Sequence, residues 1–378
     1  MIKILHTADV HLGREFPSLR EKSKEYRNQL LQTFEHVLGL AIDGDVSLVL
    51  IAGDLFDTNR VYGIVIDKVI SGFGKLEERN IPVCILPGGH DAYTEDSIYR
   101  FVRFPPNVTV LTTEQDHKIF DDLDLTVYGK AFDGKLVGES PLRGLSLIEE
   151  SKFHVGLAHC SIKREGTIEK DSMILDGKEI ANSRLDYLAL GHWHSFQDYS
   201  QGNTKAYYCG SPEPIYMDQK GAGSVAMVNI YGKGDIRVDP IHVGSKKFDE
   251  ITINVGSISS FEEITRIIEP KADPNLILKV TLEGLCRMDC DLDSQKIKEE
   301  IKDELASHFF NLQVLDKSYP KLEEVESKDF PEETVAGKFV RIAKEKITQA
   351  DNEKDKALYA KALKLGLALL QGRSEIIK

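Results

Sequence analysis

Short apolar segments rich in β-branched residues alternate with helical stretches over about the first two-thirds of the 378-residue sequence. Residues 3–7 and 46–52 have the length and composition of buried strands. Between them, apolar side chains in residues 19–41 recur at the spacing of one helix face. Because strands that alternate with helices fold into sheets covered by helices, the sequence predicts an α/β protein.

The pattern changes near residue 245, which predicts three parts. Residues 1–245 form the α/β domain, and residues 246–320 alternate strand and helix as a small α+β domain. Residues 321–378 comprise an acidic linker and a helical tail over residues 332–371. Such a tail has little core of its own, so we expect it to pack back on the body or to bind a partner.

The formal net charge of −13 limits the possible partners. It excludes a protein that binds nucleic acid through its overall charge, so such a contact must come from a local basic patch or a partner protein. The five cysteines form no CxxC pair and are odd in number, which favours a reducing compartment. The sequence has no recognisable secretory signal, and no apolar stretch approaches the ~18 residues of a membrane span. We therefore expect a soluble, cytoplasmic protein without a membrane contact.

Residue types that bind metals follow several predicted strands, at the point where each strand ends. In open α/β sheets this edge binds ligands, so we expect these side chains to converge. Residues two apart in extended chain point the same way, which suits the pairs Asp9/His11 and His192/His194. A mixture of carboxylates and imidazoles favours Mn, Fe or Zn over Ca. The sequence predicts a polynuclear metal centre from these positions: Asp9, His11, Asp54, His90, Asp91, His159, His192 and His194.

The motifs around these positions resemble those of the calcineurin-like metallophosphoesterases. They are DVH (9–11), GDLFD (53–57), GGHD (88–91), GLAH (156–159) and GHWH (191–194). HTADVHLG (6–13) together with GDLFD resembles the DNA double-strand-break repair branch, typified by the bacterial SbcD nuclease subunit. The resemblance implies a layered β-sandwich core flanked by helices, with residues 246–320 as a capping domain and a helical C-terminal tail.

The resemblance also implies roles for individual residues. Two divalent ions, Mn²⁺ above others, would bind here, with Asp54 as the bridging carboxylate. His90 would act as general acid toward the leaving oxygen or neutralise charge in the transition state. Asp57 would orient the His90 imidazole, unless it caps the next helix. The remaining ligands divide between the two ions: Asp9, His11 and His194 for the first, His159 and His192 for the second.

One position departs from the family pattern. Where the family has an asparagine whose side-chain oxygen binds the second metal, this sequence has Gly89. Three alternatives follow from the missing oxygen ligand. Water or the backbone replaces it, the second metal binds weakly, or the chain has lost catalysis and keeps a DNA-end-binding role. Because several imidazoles and a bridging carboxylate remain, we expect a weakened site rather than a lost one.

The function implied is that of a Mn²⁺-dependent DNA exonuclease and endonuclease in DNA repair. The helical tail would dock on an SMC-like ATPase of the SbcC type, and the apolar face of the helix after residue 57 would support a homodimer. The alternative within the family is an enzyme that acts on small phosphoesters. Basic residues near the motifs either contact DNA phosphates or form a solvated face: Arg14, Lys24, Arg27 and Arg60.

Overall fold

A computed structural model describes residues 1–135, 137–163, 173–216, 221–258, 260–286, 294–320, 330–331, 333–350 and 352–370. The chain divides into two compact units, residues 1–247 and residues 248–378. The predicted linker lies outside the described residues up to position 329. The further division of the second unit at residue 320 stays a prediction.

The first unit consists of strands and helices that largely follow the predicted alternation. The strands are β1 (Ile2–Thr7), β2 (Leu48–Ala52), β3 (Val83–Leu86), β4 (Val108–Val110), β5 (His117–Phe120), β6 (Leu125–Gly129), β7 (Phe153–His159), β8 (Ser161–Ile162), β9 (Ile174–Leu175), β10 (Tyr187–Gly191), β11 (Phe196–Asp198), β12 (Lys205–Cys209), β13 (Ser224–Gly232) and β14 (Asp235–His242). The helices are α1 (Ser23–Asp43), α2 (Gly63–Glu77), α3 (Ile98–Phe101) and α4 (Gly177–Asn182).

Two six-stranded sheets form the centre of this unit, with strand orders β14-β13-β1-β2-β3-β4 and β11-β12-β10-β7-β6-β5. Strands β1 to β4 are parallel to one another, as are β6, β7, β10 and β12. A shared apolar core joins the two sheets, with Ile4 and Leu50 from one sheet and Val155 and Ala189 from the other. The predicted layered β-sandwich is confirmed.

The sandwich brings the ends of parallel strands together. Strand β2 of the first sheet contacts β7 and β10 of the second. The loops that follow β1, β2 and β3 therefore meet the loops that follow β7 and β10. This is the arrangement that the placement of metal-binding residue types predicts.

Some elements differ from those expected. The first helix begins at Ser23 rather than residue 19, because residues 17–22 form a 3₁₀ turn in which Arg20 has a φ of 49°. Strands β5, β11 and β14 were not expected. They lie at sheet edges, and their side chains are largely half-buried or exposed, so they carry no strong apolar signal.

The second unit consists of a three-stranded sheet, two helices beside it and a helical hairpin. The bounds are β15 (Lys247–Asn254), α5 (Phe261–Ile268), β16 (Asp273–Cys286), α6 (Ser294–Leu305), β17 (Phe309–Pro320), α7 (Val335–Gln349) and α8 (Glu353–Leu370). The sheet has the order β15-β16-β17, with β16 and β17 parallel. Its core includes Leu278 and Val314 of the sheet and Ile264 and Ile301 of the two helices.

The helical tail has only a small apolar core of its own. Within the predicted helical tail, α7 ends at Ala350, whose ψ is 126°, and α8 packs back on α7. Val340, Ala343, Leu363 and Leu367 form a small apolar cluster between the two helices. Helix α8 also contacts β17. No helix in the described ranges combines the length and apolar character that crossing a membrane requires.

His6 on β1 is a buried histidine outside the metal-binding set. Its side chain is completely buried, and its Nδ1 lies 2.8 Å from the Tyr187 hydroxyl. Burial lowers the pKa of His6 to about 3. Because an unfolded histidine takes up a proton near pH 6.5 and native His6 does not, protons favour the unfolded chain below that pH.

We expect this difference in proton binding to destabilise the folded protein in mild acid. Between pH 7 and pH 5, His6 should lower the free energy of unfolding by about 2 kcal/mol. Replacing His6 by Gln should reduce the fall by that amount, measured by urea unfolding of metal-free protein at both pH values. The same replacement at exposed His36 serves as control. An unchanged fall in the His6→Gln variant would show that another group is responsible.

Candidate metal centre

The loops after the central strands have an unusual backbone. Asp9, His11, Asp54 and His192 all have positive φ values, at 53°, 49°, 50° and 101°. Such conformations are costly for residues other than glycine and persist only where the surroundings fix them. Here two main-chain hydrogen bonds join the loops after β1 and β2, from Asp9 N to Gly53 O at 3.1 Å and from His11 N to Asp54 O at 3.0 Å.

Two glycines allow the second sheet's loops to approach the first. A Cβ atom at Gly53 would lie 2.1 Å from Nδ1 of His159, and one at Gly191 would lie 1.8 Å from the Ala52 carbonyl oxygen. Because both positions are glycine, His159 can approach the end of β2. There its Nδ1 donates to Ala52 O at 3.0 Å. This bond fixes the ring so that Nε2 points toward Asp54.

Asp54 lies between imidazoles that come from both sheets. Its Oδ2 is 3.2 Å from Nε2 of His159 and 3.7 Å from Nε2 of His11. Both of these nitrogens are buried and lack a hydrogen-bond partner among the described atoms. Two buried imidazole nitrogens aimed at one carboxylate oxygen fit a pair of cations that share the carboxylate.

Asp9 lies at the centre of the remaining ligand positions. It is completely buried, and both of its oxygens accept from His192 N at 3.0 Å. Nε2 of His194 is 3.6 Å from Asp9 Oδ1. Groups with ligand atoms within 4.8 Å of one another are Asp9/His11/His194, Asp9/Asp54/His159 and His11/Asp57/His90.

His192 lies at the edge of this arrangement. Its ring centroid is 5.4 Å from that of His159. Within the described part of the chain, His192 belongs to none of the three groups. The structure thus brings the predicted ligands together in one buried site, with the side chain of His192 beside the others rather than among them.

The electrostatics tie proton binding to cation binding. Burial alone would lower the pKa of His159, but the adjacent Asp54 carboxylate outweighs burial and raises it to about 10. Burial acts in the opposite direction on Asp54, and the His159 imidazole keeps the pKa of that carboxyl below its ordinary range. A cation that binds Nε2 of His159 must therefore displace a proton, and its affinity should fall as the pH falls.

Asp57 supports His11 with its side chain and His90 with its main chain. Its Oδ1 accepts from Nδ1 of His11 at 3.1 Å and from Arg14 at 2.7 Å. Nδ1 of His90 donates to the main-chain oxygen of Asp57 at 3.1 Å and lies 3.7 Å from its Oδ1. The alternative role as a helix cap is wrong, because Tyr62 precedes α2 as its N-cap.

Asp91 was predicted among the metal-centre positions, but in the described residues it belongs to none of the three metal groups. It supports the site instead, together with Tyr99, which motif reasoning missed. The completely buried Asp91 carboxylate accepts from Gly88 N at 2.7 Å, Phe56 N at 3.1 Å and the Tyr99 hydroxyl at 2.6 Å. These bonds link the loop that carries Asp54 to the loop that carries His90. The position of Asp91 directly after His90 indicated that it lies at the site. The groups that it bonds depend on the fold and could not be predicted from that position.

The four basic candidates differ in their surroundings. Arg14 donates to Asp57 inside the site, and Arg27 pairs with Glu15. Arg60 lies 4.0 Å from Asp96 and its side chain is 89% exposed. Lys24 is exposed on α1. Contact with DNA stays a prediction for all four.

Comparison with known proteins agrees with the geometry. The chain is 25% identical to the DNA double-strand break repair protein Mre11 of Sulfolobus acidocaldarius over 296 residues, which cover 75% of each protein. It is 26% identical to the Mre11 protein of Sulfurisphaera tokodaii over 309 residues, which cover 75% of this chain and 73% of the relative. It is 21% identical to the uncharacterized metallophosphoesterase YhaO of Bacillus subtilis over 278 residues, 71% of this chain and 67% of the relative. The sequence profile of the calcineurin-like phosphoesterases matches residues 2–196, so this chain belongs to that family.

Proposed function

We propose that this protein is a Mn²⁺-dependent nuclease that hydrolyses DNA phosphodiesters. The observation that carries the proposal is the position of Asp54 Oδ2 between the buried Nε2 atoms of His11 and His159. Divalent cations bound there would activate water and neutralise charge on the attacked phosphate. The names of the Mre11 relatives support DNA as the substrate.

The protein's own residues would prepare the site before substrate arrives. Asp57 and the Ala52 carbonyl hold the Nδ1 atoms of His11 and His159, so that both Nε2 atoms are available as ligands. The side chain of His90 is 38% exposed and lies beside His11, with ring centroids 4.7 Å apart. This position suits a group that protonates the leaving oxygen at the mouth of the site.

A substrate comparison tests the proposal. We expect the protein with Mn²⁺ to cleave duplex oligonucleotides and to act poorly on p-nitrophenyl phosphate, with both activities removed by a chelator. Hydrolysis of the nitrophenyl ester without DNA cleavage would favour an enzyme for small phosphoesters. DNA binding without cleavage in Mn²⁺, Mg²⁺ and Co²⁺ would favour the DNA-end scaffold that Gly89 suggests.

Gly89 provides a second prediction about the same site. The Gly89→Asn variant gains a neutral oxygen ligand and should bind the weaker metal about tenfold more tightly and cleave faster in Mn²⁺. Isothermal titration and a nuclease assay measure both effects. Gly39→Asn, at a helix position with open space around it, is the control; equal affinities and rates in all three proteins would contradict the prediction.

The partner proposals rest on exposed apolar side chains. On the helical hairpin, Val335, Ile342 and Leu358 are exposed, which supports docking of an SMC-like ATPase. At the start of α2, Tyr62 and Ile64 are exposed, which supports a homodimer through that helix. Co-purification with such an ATPase and the solution mass of the protein alone would test the two proposals separately.

A further inference from the structure

We infer that Arg14 is a positioning residue that braces both imidazoles of the first metal site and thereby sets the affinity of that site. The inference rests on the proposed function, since it concerns the cation bound by Asp9, His11 and His194. Arg14 has no ligand atom in the metal groups, so its effect must pass through its neighbours. Two separate chains of contacts lead from its guanidinium to the two imidazoles.

The first chain of contacts runs through Asp57 to His11. Arg14 donates to Asp57 Oδ1 at 2.7 Å, and the same oxygen accepts from Nδ1 of His11 at 3.1 Å. The side chains of Arg14 and Asp57 are each only 17% exposed, so water competes little with this charged hydrogen bond. Held in this way, the carboxylate fixes the His11 ring with Nε2 facing Asp54.

The second chain of contacts runs through Tyr216 to His194. The guanidinium carbon of Arg14 lies 4.3 Å from the centroid of the Tyr216 ring, close enough for a cation–π contact. His194 also stacks on that ring, with centroids 5.6 Å apart and an interplanar angle of 15°. The flat guanidinium suits this stack in a way that a lysine ammonium does not.

The two chains meet again at the metal site. The imidazoles of His11 and His194 have centroids 5.4 Å apart. The contacts therefore form a closed circuit that runs from His11 through Asp57, Arg14 and Tyr216 to His194. His159 of the second site is held differently, by the carbonyl oxygen of Ala52. A change at Arg14 should therefore weaken one metal site and spare the other.

These contacts also argue against a phosphate as the main partner of Arg14. One terminal nitrogen is bonded to Asp57, and the face of the guanidinium covers the Tyr216 ring. A bound phosphate would have to displace contacts that already exist. Arg60, in contrast, presents a highly exposed side chain.

Titration of the metal-free protein with Mn²⁺ tests the inference without an activity assay. The first site keeps all of its side-chain ligands, whereas the second lacks the asparagine at position 89, so the tighter event should be the first site. We expect Arg14→Gln to weaken the tighter event roughly 10- to 100-fold and to leave the weaker event within about twofold. Tyr216→Leu should weaken the same event, and Tyr216→Phe, which keeps the stack, should not. Arg237→Gln removes an exposed arginine that pairs with Asp239 and is the control.

The possible outcomes separate this inference from the proposed function. A wild-type protein that binds no Mn²⁺ would overturn the metal-dependent function itself. If the wild-type protein binds Mn²⁺ and both Arg14→Gln and Tyr216→Leu bind it with unchanged affinity, only the positioning role of Arg14 would be overturned. Circular dichroism shows whether each variant is folded. If Arg14→Gln is not, Arg14→Lys keeps the charge beside Asp57 but loses the flat stack, and unchanged Mn²⁺ binding in Arg14→Lys and Tyr216→Leu would equally overturn the inference.

Discussion

Replacing Asp54 by Asn should lower the rate of DNA cleavage by roughly 10³-fold or more. Losing several kcal/mol of charge stabilisation in the transition state corresponds to about that factor. Oδ1 of Asp54 accepts from His90 N at 2.8 Å, so the amide oxygen of an asparagine would take that position. Its NH₂ group would then occupy the place of Oδ2, between the imidazoles of His11 and His159. An amide NH₂ is a hydrogen-bond donor and cannot bind a cation.

The measurements for Asp54→Asn are bound Mn²⁺ per chain and the rate of oligonucleotide cleavage. We expect both to fall, because the variant loses the shared ligand and the negative charge that compensates the cations. Asp116→Asn is a matched control, since Asp116 also pairs with a histidine, His117, at 2.8 Å but is exposed on the surface. A variant that retains full metal content and rate would refute the bridging role of Asp54.

The sequence was sufficient to predict which strand ends meet at the site. Strand-forming segments can be recognised from their composition, and metal-binding residue types at strand ends must meet where parallel strands end together. This reasoning brought Asp9, Asp54 and His159 to one place, although they belong to the ends of three different strands. It needed no knowledge of side-chain contacts.

The supports of these residues could not be predicted in the same way. Asp57 was expected to orient the His90 ring, but its carboxylate bonds His11 and its carbonyl oxygen holds His90. Which group of Asp57 faces which imidazole depends on a turn in the backbone that periodicity does not report. Arg14 and Tyr216 are distant in sequence, and their stacking follows from the folded loops alone.

The break in the helical tail left a signal that was not used. Apolar positions continue on both sides of residue 350, and they predicted a helical tail without locating a break in it. Asn352, however, precedes α8, and its Oδ1 accepts from Asp355 N at 2.9 Å as an N-cap does. An asparagine followed three residues later by an acidic residue is a known start signal, and giving it more weight would have predicted the hairpin.

Replacing His90 by Gln should slow DNA cleavage by roughly 10²- to 10⁴-fold, the range expected for a lost general acid. The donor bond from Nδ1 to the Asp57 carbonyl means that this nitrogen carries a hydrogen, because a carbonyl oxygen can only accept. Nε2 can then deliver a proton to the leaving oxygen when the ring is in its imidazolium form, with a hydrogen on both nitrogens. The main-chain bond from residue 90 to Asp54 Oδ1 does not depend on the side chain, so we expect Mn²⁺ binding to be kept.

The choice of leaving group distinguishes the two roles that His90 can have. A p-nitrophenyl ester of thymidine 5′-monophosphate releases a leaving group that needs no protonation, whereas DNA releases an alkoxide that does. If His90 is the general acid, the His90→Gln variant should be slow on DNA but within about tenfold of wild type on the nitrophenyl ester. If the imidazole instead neutralises charge on the phosphate, both substrates should slow equally, because that charge develops with either leaving group. A variant that cleaves both substrates at the wild-type rate would exclude both roles of His90. Solvent would then supply the proton to the leaving oxygen.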